Sequence, residues 1–260
     1  MSTGLGSEPH TRGIEPTEGK PPKGLVDGMI KALRPKQWVK NVLVLAAPAA
    51  AGSEVLLNGR TLADVGIAFV AFCFAASSIY LINDARDVEA DRAHPKKRFR
   101  PIAAGVLPVN VAYVMAVVLI IAALGVSLLA TAGHALGIVV AVYIALQLGY
   151  CFSWKHQPVL DIALVSSGFM LRAMAGGVAG EIDLSQWFLL VAAFGSLFMA
   201  SGKRYSEILL AQRSGAKIRK SLEGYTPTYL RFVWTLSATA VVMSYALWGF
   251  GLSRAAGGAA

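Results

Sequence analysis

The feature that most constrains this chain is a series of apolar runs, several of which reach the length of a membrane-spanning helix. About 20 apolar residues are needed to cross roughly 30 Å of hydrocarbon at about 1.5 Å per residue. Hydrophobic residues make up 55% of the 260 residues and charged residues only 15%, whereas soluble globular chains carry about 25% charged residues. The sequence therefore predicts an all-α fold, a polytopic transmembrane helical bundle.

The apolar runs and the residues that interrupt them predict seven spans. The spans cover about residues 38–56, 62–82, 108–130, 135–152, 159–179, 186–202 and 228–251. Pro48 and Gly52 interrupt the first of them. Residues 1–24 are rich in Gly, Pro, Glu and Lys, and we expect a disordered cytoplasmic tail there. The membrane domain is then expected at 25–251, followed by a short tail at 252–260.

Basic residues are concentrated on one side of the predicted spans. The segment through Lys40 carries seven of them, the 83–107 loop six and the 202–228 loop six, and Lys155 lies on the same side. The positive-inside rule places that side in the cytoplasm, so we expect a multi-pass protein of the plasma (inner) membrane. Topology and attraction to anionic lipid account for the net charge of +9. With no nucleic-acid-binding signature in the sequence, nucleic acid is not an expected partner.

A group of acidic residues directly follows the second predicted span. Four polar residues fall within an arc of about 100° on one helical face: Asn83, Asp84, Asp87 and Asp91. Carboxylates at this spacing repel one another, and a divalent cation removes the repulsion. Oxygen ligands without His or Cys favour Mg²⁺, which binds through one or two carboxylates plus substrate phosphates. A solvated helix end is the simpler alternative, although the helix dipole disfavours carboxylates at a C-terminus.

Basic and polar residues on the other predicted cytoplasmic ends complete the candidate site, which suits a polyphosphate. The candidate substrate-binding residues are Lys36, Lys40, Lys97, Arg98, Arg100, Lys155, Asp161, Arg172, Lys203, Arg204, Tyr205 and Glu207. Arg172 stands well inside a predicted span, where an ionisable side chain is a candidate functional residue. A purely structural role, such as pairing with carbonyl groups, remains open for Arg172. For any single residue of the 97–100 run, a lipid-facing loop remains open.

The motif Asn83-Asp84-x-x-Asp87-x-x-x-Asp91 after a membrane helix resembles the first Asp-rich motif of the UbiA superfamily of intramembrane prenyltransferases. The similarity covers about residues 25–250 and is greatest to the decaprenyl-phosphate phosphoribosyltransferase subfamily. The segments that carry it are 33–41, 97–105, 166–172, 202–205 and 235–240.

This resemblance implies transfer of 5-phosphoribose from phosphoribosyl diphosphate (PRPP) to decaprenyl (polyprenyl) phosphate, with release of diphosphate, for synthesis of a cell-wall arabinan precursor. The Asp-rich motif would hold Mg²⁺ on the diphosphate of PRPP. Lys203, Arg204 and part of the 97–100 run would bind the 5-phosphate or the lipid phosphate. Members of the subfamily usually have nine spans, so the last two are expected to be missing from this chain.

Three other functions remain as alternatives. A UbiA enzyme joining a polyprenyl diphosphate to an aromatic acceptor would carry a second Asp-rich motif after the sixth span, where this chain has Lys203-Arg204-Tyr205-x-Glu207. A transporter or flippase would concentrate polar residues near mid-membrane, and here nearly all lie at predicted helix ends. An inactive scaffold would not need the carboxylates. The sequence leaves the lipid chain length open, and it neither requires nor excludes a homo-oligomer.

Overall fold

The computed structural model describes residues 21–214 and 222–257, which fold into helices and contain no β-strand. The α-helices in chain order are α1 Leu25–Ala32, α2 Ala46–Ala51, α3 Ser53–Leu56, α4 Gly59–Arg86, α5 Val88–Arg92, α6 Val109–Ser127, α7 Gly133–Phe152, α8 Leu160–Ala179, α9 Gln186–Ser214 and α10 Pro227–Gly257. Three 3-10 helices cover Pro35–Leu45, Lys97–Phe99 and Trp154–His156. The all-α prediction is confirmed. Most of the predicted 1–24 tail, and residues 258–260, lie outside the described ranges.

Among the described helices, five are long and apolar enough to cross a membrane: α4, α6, α7, α8 and α10. The chain is therefore a multi-pass membrane protein, and the described residues contain five such helices where seven spans were predicted. The predicted span 38–56 is a 3-10 helix followed by α2 and α3, which are separated by Gly52 at a φ of +107°. α9 begins with Gln186 and becomes basic at Lys203, so its apolar stretch is shorter than those of the five spans.

The predicted cytoplasmic loops are shorter than the sequence suggested because helices extend into them. α4 continues to Arg86, and α9 continues to Ser214, so the 202–207 segment is helical and not a loop. Ion pairs one turn apart support the end of α9: Glu207 lies 3.0 Å from the Arg204 guanidinium and 4.0 Å from the Lys203 ammonium. α10 likewise continues beyond the predicted end at residue 251 to Gly257.

α4 is the central helix of the bundle. It packs against α6, α7, α8 and the 3-10 helix Pro35–Leu45, and 67% of its apolar stretch is buried, compared with 17% for α6 and α10. Small side chains allow this close packing, as is common between helices in membranes. The fully buried alanines of α4 are Ala68, Ala71 and Ala75. The exposed faces of α6 and α10 are left for lipid.

Gly176 of α8 brings the 3-10 helix Pro35–Leu45 against the bundle. A Cβ atom at this position would overlap the carbonyl oxygen of Val44, so no other residue fits without movement of the backbone. The close approach places Asn41, three residues before Val44, beside α8, where it accepts a hydrogen bond from Arg172. The first basic motif of the chain is thereby held against the membrane helices.

The segment before α10 is attached to the start of α8. The backbone N–H of Val159 donates a 2.7 Å hydrogen bond to the Tyr225 hydroxyl, and Gly224 packs against Pro158. Burial raises the pKa of Tyr225 above its ordinary value, so the hydroxyl stays protonated near neutral pH. This attachment holds the segment directly before α10 against the start of α8.

Candidate active site

The Asp-rich motif lies where α4 ends and α5 begins. Asn83 and Asp84 belong to the last turn of α4, Asp87 separates the two helices, and Asp91 belongs to α5. The predicted continuous helical face was therefore wrong beyond Asp84, because the helix is interrupted at Asp87. Asp84 and Asp91 are buried, with 4% and 2% of their surfaces exposed, while Asp87 is partly exposed.

Asp84 and Asp91 belong to one network of ion pairs, here called the carboxylate network. Arg34 Nη2 donates to Asp84 Oδ1 at 2.6 Å, and Arg100 Nη1 donates to the same oxygen at 3.0 Å. Arg100 Nη1 also donates to Asp91 Oδ2 at 2.6 Å, and Lys97 Nζ lies 3.6 Å from Asp91 Oδ1. Each buried carboxylate thus has cationic partners, which burial of an ionised carboxylate requires.

Asp87 is paired separately with Lys155. The Lys155 ammonium donates to Asp87 Oδ1 at 2.7 Å and to Oδ2 at 2.9 Å. Lys155 lies on the 3-10 helix after α7, where the Trp154 ring packs on Gly149 and leaves no room for a side chain there. The pair joins the end of α7 to the end of α4.

A cavity of about 450 Å³ opens between these groups at one end of the bundle, here called the polar cavity. It is lined by Arg34, Ile79, Tyr80, Asn83, Asp87, Ala90, Asp91, Lys97, Arg100, Gln147, Tyr150, Cys151 and Lys155. Six predicted site residues are therefore brought together around one space: Asn83, Asp87, Asp91, Lys97, Arg100 and Lys155. Four cations face two carboxylates, and this excess of positive charge suits a polyanionic ligand.

Asp84 and Lys36 line a neighbouring cavity of about 480 Å³ instead. Arg34 and Arg100 line both cavities and separate them. The Arg34 guanidinium also lies 4.8 Å from the centre of the Tyr80 ring. Asp84 therefore supports the two arginines at the wall of the polar cavity without lining it.

Asp161 and Arg204, two further predicted site residues, bind each other away from the polar cavity. Arg204 Nε donates to Asp161 Oδ2 at 2.7 Å, and Arg204 Nη2 donates to Asp161 Oδ1 at 2.8 Å. The Tyr150 hydroxyl donates to Asp161 Oδ1 at 3.1 Å, and Glu207 accepts from Arg204 Nη1 at 3.0 Å. Since Tyr150 lines the cavity, this pair joins α7, α8 and α9 behind its wall.

Arg172 is buried in α8 and has only uncharged hydrogen-bonding partners. Its Nε donates to Asn41 Oδ1 at 2.7 Å, its Nη2 to the Tyr143 hydroxyl at 2.8 Å, and its Nη1 to the carbonyl oxygen of Gly168. Lys40 lies beside Asn41 and is half-buried. Arg172 and Lys40 do not line the polar cavity.

The remaining predicted site residues lie at the periphery. The Arg98 guanidinium is 4.9 Å from the centre of the Phe99 ring, and the Tyr205 ring stacks on Trp234 with centroids 6.0 Å apart. Lys203 is exposed on α9. These three residues lie outside the lining of the polar cavity.

Seven residues that line the polar cavity were not predicted, and four of them can form hydrogen bonds to a polar ligand: Arg34, Tyr80, Gln147 and Tyr150. Arg34 belongs to the same basic segment as Lys36, and Tyr80 stands one turn before Asn83 on α4. Gln147 and Tyr150 are polar residues three positions apart in an otherwise apolar helix. Their helical spacing was visible in the sequence, but which face meets the cavity depends on packing between helices.

The oxygen donors at the polar cavity fit Mg²⁺ only as a partial ligand set. Asn83 and Asp87 offer an amide and a carboxylate to the same space, and the Cys151 thiol that also lines it is a soft ligand, which Mg²⁺ does not favour. Within residues 21–214 and 222–257, no three His, Cys, Asp or Glu side chains are placed to share one ion. Mg²⁺ usually completes its shell with water and substrate phosphates, so two protein ligands are sufficient.

Comparison with known proteins gives the family. Residues 42–259 match the model of the UbiA prenyltransferase family. The chain belongs to this family. A protein of Corynebacterium glutamicum named decaprenyl-phosphate phosphoribosyltransferase is 77% identical over 251 residues, which are 96% of this chain and 76% of that protein. A protein of Mycolicibacterium smegmatis with the same name is 67% identical over 243 residues, 93% of this chain and 76% of that protein.

The fold has a solved counterpart of low sequence identity. A UbiA homolog from Archaeoglobus fulgidus bound to DMAPP and Mg²⁺ is similar with a TM-score of 0.69 and 17% identity, over 85% of this chain and 77% of that one. The predicted UbiA-like helical bundle is thereby confirmed.

Proposed function

We propose that this protein transfers 5-phosphoribose from PRPP to a polyprenyl phosphate and releases diphosphate. The observation that carries the proposal is the excess of cations over carboxylates around the polar cavity. The relatives at 77% and 67% identity are named for this reaction on decaprenyl phosphate. α9 supports the same choice, because Lys203 and Arg204 stand where an enzyme for aromatic acceptors would be expected to carry further carboxylates.

The residues that line the polar cavity would bind the donor. Lys97, Lys155 and the two arginines of the carboxylate network present cations to the phosphates of PRPP. Asn83 and Asp87 would hold Mg²⁺, which supplies positive charge to the leaving diphosphate when it is bound. Asp84, by pairing with both arginines, positions their guanidinium groups at the cavity wall.

The chemistry needs no general base from the protein. A phosphate monoester is already anionic near neutral pH, so one of its oxygens attacks the anomeric carbon of the ribose directly. The bond from that carbon to the diphosphate oxygen breaks on the opposite face, and the diphosphate leaves with the electron pair. The fixed cations of the cavity stabilise the charge on the leaving group as it develops.

The polar cavity is assigned to the cytoplasmic side of the plasma (inner) membrane. Supporting this, 20 of the 24 Lys and Arg residues fall on the predicted cytoplasmic side, and four of them, Arg34, Lys97, Arg100 and Lys155, line the cavity. PRPP is water-soluble and would enter from that side. The lipid product would serve as a precursor of cell-wall arabinan.

The test is a pair of assays on the purified chain in liposomes with Mg²⁺. One contains ribose-labelled PRPP and polyprenyl phosphate, and the other contains a labelled polyprenyl diphosphate and an aromatic acid. Transfer of label into the lipid phase in the first assay alone supports the proposal. Prenylation of the aromatic acid, with no lipid labelling from PRPP, would replace it with the aromatic prenyltransferase function.

A further inference from the structure

We propose that Tyr225 is a positioning residue for the reaction. Its hydroxyl holds a strained turn at Val159 and, through that turn, sets the place of Lys155 at the polar cavity. The inference rests on the proposed function, because Lys155 is one of the cations that would bind the diphosphate donor. Neither Tyr225 nor Val159 lines the cavity, so the effect passes along the segment that joins α7 to α8.

The turn at Val159 has a backbone conformation that a β-branched residue rarely adopts. Val159 has a φ of +71° and a ψ of −54°, and the Leu160 N–H donates a 2.9 Å hydrogen bond to the carbonyl oxygen of Pro158. These angles and this bond define a γ-turn of the rare, strained kind. Such a conformation persists only where the surrounding structure enforces it.

The contact that enforces this turn comes from Tyr225. The Val159 residue is 57% exposed, so packing of its own side chain does little to hold the backbone. Its N–H donates a 2.7 Å hydrogen bond to the Tyr225 hydroxyl, and a Cβ on the adjacent Gly224 would overlap the Pro158 ring. Loss of the hydroxyl would let Val159 relax towards a negative φ, which changes the direction of the chain directly before α8.

Tyr225 is itself held firmly by the helices around it. It is 7% exposed and belongs to an apolar cluster with Ile162 of α8, Ile208 of α9 and Leu230 of α10. Its ring also stacks on Tyr229, with centroids 6.0 Å apart. The hydroxyl is therefore a fixed point against which the turn is held.

The turn is connected to Lys155 through a short, hydrogen-bonded segment. The Gln157 N–H donates to the carbonyl oxygen of Trp154 at 3.1 Å, and the Asp161 N–H donates to that of Gln157 at 3.0 Å. Together these bonds connect the residue before Lys155 to the start of α8. A rotation of the chain at the turn would therefore displace the Lys155 ammonium from its contacts with Asp87, at 2.7 and 2.9 Å.

A purely stabilising role for Tyr225 predicts a different kinetic result. Loss of stability lowers the amount of folded enzyme, which lowers the apparent kcat and leaves the KM of each substrate as it was. Displacement of Lys155 instead weakens the use of the diphosphate donor and spares the lipid acceptor. The two roles are therefore separable by measurement.

Hydrogen–deuterium exchange of the purified full chain tests the first step without turnover. Tyr225→Phe removes only the hydroxyl and is expected to raise amide exchange in segment 155–161 by about tenfold or more. Tyr229→Phe is the matched control, because it belongs to the same ring stack and its hydroxyl makes no hydrogen bond among the described residues. Its exchange is expected to equal that of the parent. Exchange in Tyr225→Phe that also equals the parent's would overturn the proposal.

A double-mutant cycle with Lys155→Gln tests the second step in the ribosyl-transfer assay. Tyr225→Phe is expected to lower kcat/KM for PRPP by about tenfold and to leave the KM for polyprenyl phosphate unchanged. In a Lys155→Gln background the same change is expected to cost less than about twofold, because residues that act through one contact are not additive. A further loss of about tenfold in that background would show that Tyr225 does not act through Lys155.

Val159→Gly in the Tyr225→Phe background is the expected rescue. Glycine adopts a positive φ without steric cost, so kcat/KM for PRPP is expected to return to within about threefold of the parent. No recovery would remove the strained turn from the explanation. A parent that uses polyprenyl diphosphate in place of PRPP would reject the proposed function alone, since the exchange experiment needs no substrate and the cycle can be measured with that donor.

Discussion

The buried pair of Asp161 and Arg204 gives the sharpest prediction about stability. Both side chains are almost fully buried, and Arg204 makes two of its three charge-assisted hydrogen bonds to Asp161. Removing one partner of a buried ion pair costs about 3–5 kcal/mol because the other charge is left unpaired. Glu207 still accepts one hydrogen bond from Arg204 in the variant. We therefore expect Asp161→Asn to lower the free energy of unfolding by about 3 kcal/mol, the lower end of this range.

That loss corresponds to a melting temperature lower by about 6 °C or more for a chain of this size. Scanning fluorimetry of the purified protein in one detergent measures it. Glu207→Gln is the control, because Glu207 is partly exposed and its pair contributes at most about 1 kcal/mol. The double variant Asp161→Leu/Arg204→Met removes both charges and is expected to recover most of the loss. A melting temperature of Asp161→Asn within about 1 °C of the parent would refute the reasoning.

Three further predictions concern packing and catalysis. Gly176→Ala is expected to lower the melting temperature, because the added Cβ would overlap the carbonyl oxygen of Val44. Gly66→Ala is the control, since open space surrounds Gly66 in α4, and its melting temperature is expected to stay the same or rise. Equal melting temperatures for the two variants would contradict the close contact. Asp87→Asn is expected to lower kcat/KM for PRPP at least tenfold and to raise the Mg²⁺ concentration for half-maximal rate, and an unchanged Mg²⁺ dependence would remove Asp87 as a ligand. Chelation by EDTA is expected to abolish ribosyl transfer and added Mg²⁺ to restore it; full activity in EDTA would remove the metal from the reaction.

The sequence was informative where a single physical effect dominates. Membrane spans of about 20 apolar residues are visible in any chain, and α4, α6, α7, α8 and α10 were all predicted. The 3-10 helix Pro35–Leu45 was missed because its apolar residues resemble a span, while its shape depends on docking against Gly176. The extension of α9 was missed because ion pairs, and not hydrophobicity, support its end.

In the candidate site, too, the sequence predicted which residues lie together but not which partners they bind. Asn83, Asp87 and Lys155 were predicted to lie near one another because all three follow membrane helices on the same side, and they do line one cavity. The partners of each cation were not predictable. Arg172 meets Asn41 across 131 positions of sequence, a contact that depends on how three helices pack. The role of each site residue stays a prediction until it is measured.

The central claim is that ribose 5-phosphate moves to the lipid while the diphosphate leaves. PRPP labelled with ¹⁴C in the ribose and with ³²P in its terminal phosphate tests this in one reaction with polyprenyl phosphate and Mg²⁺. The account predicts ¹⁴C in the lipid phase and ³²P as diphosphate in the aqueous phase, in equal amounts. Appearance of ³²P in the lipid, or release of diphosphate with no ¹⁴C transferred, would contradict it.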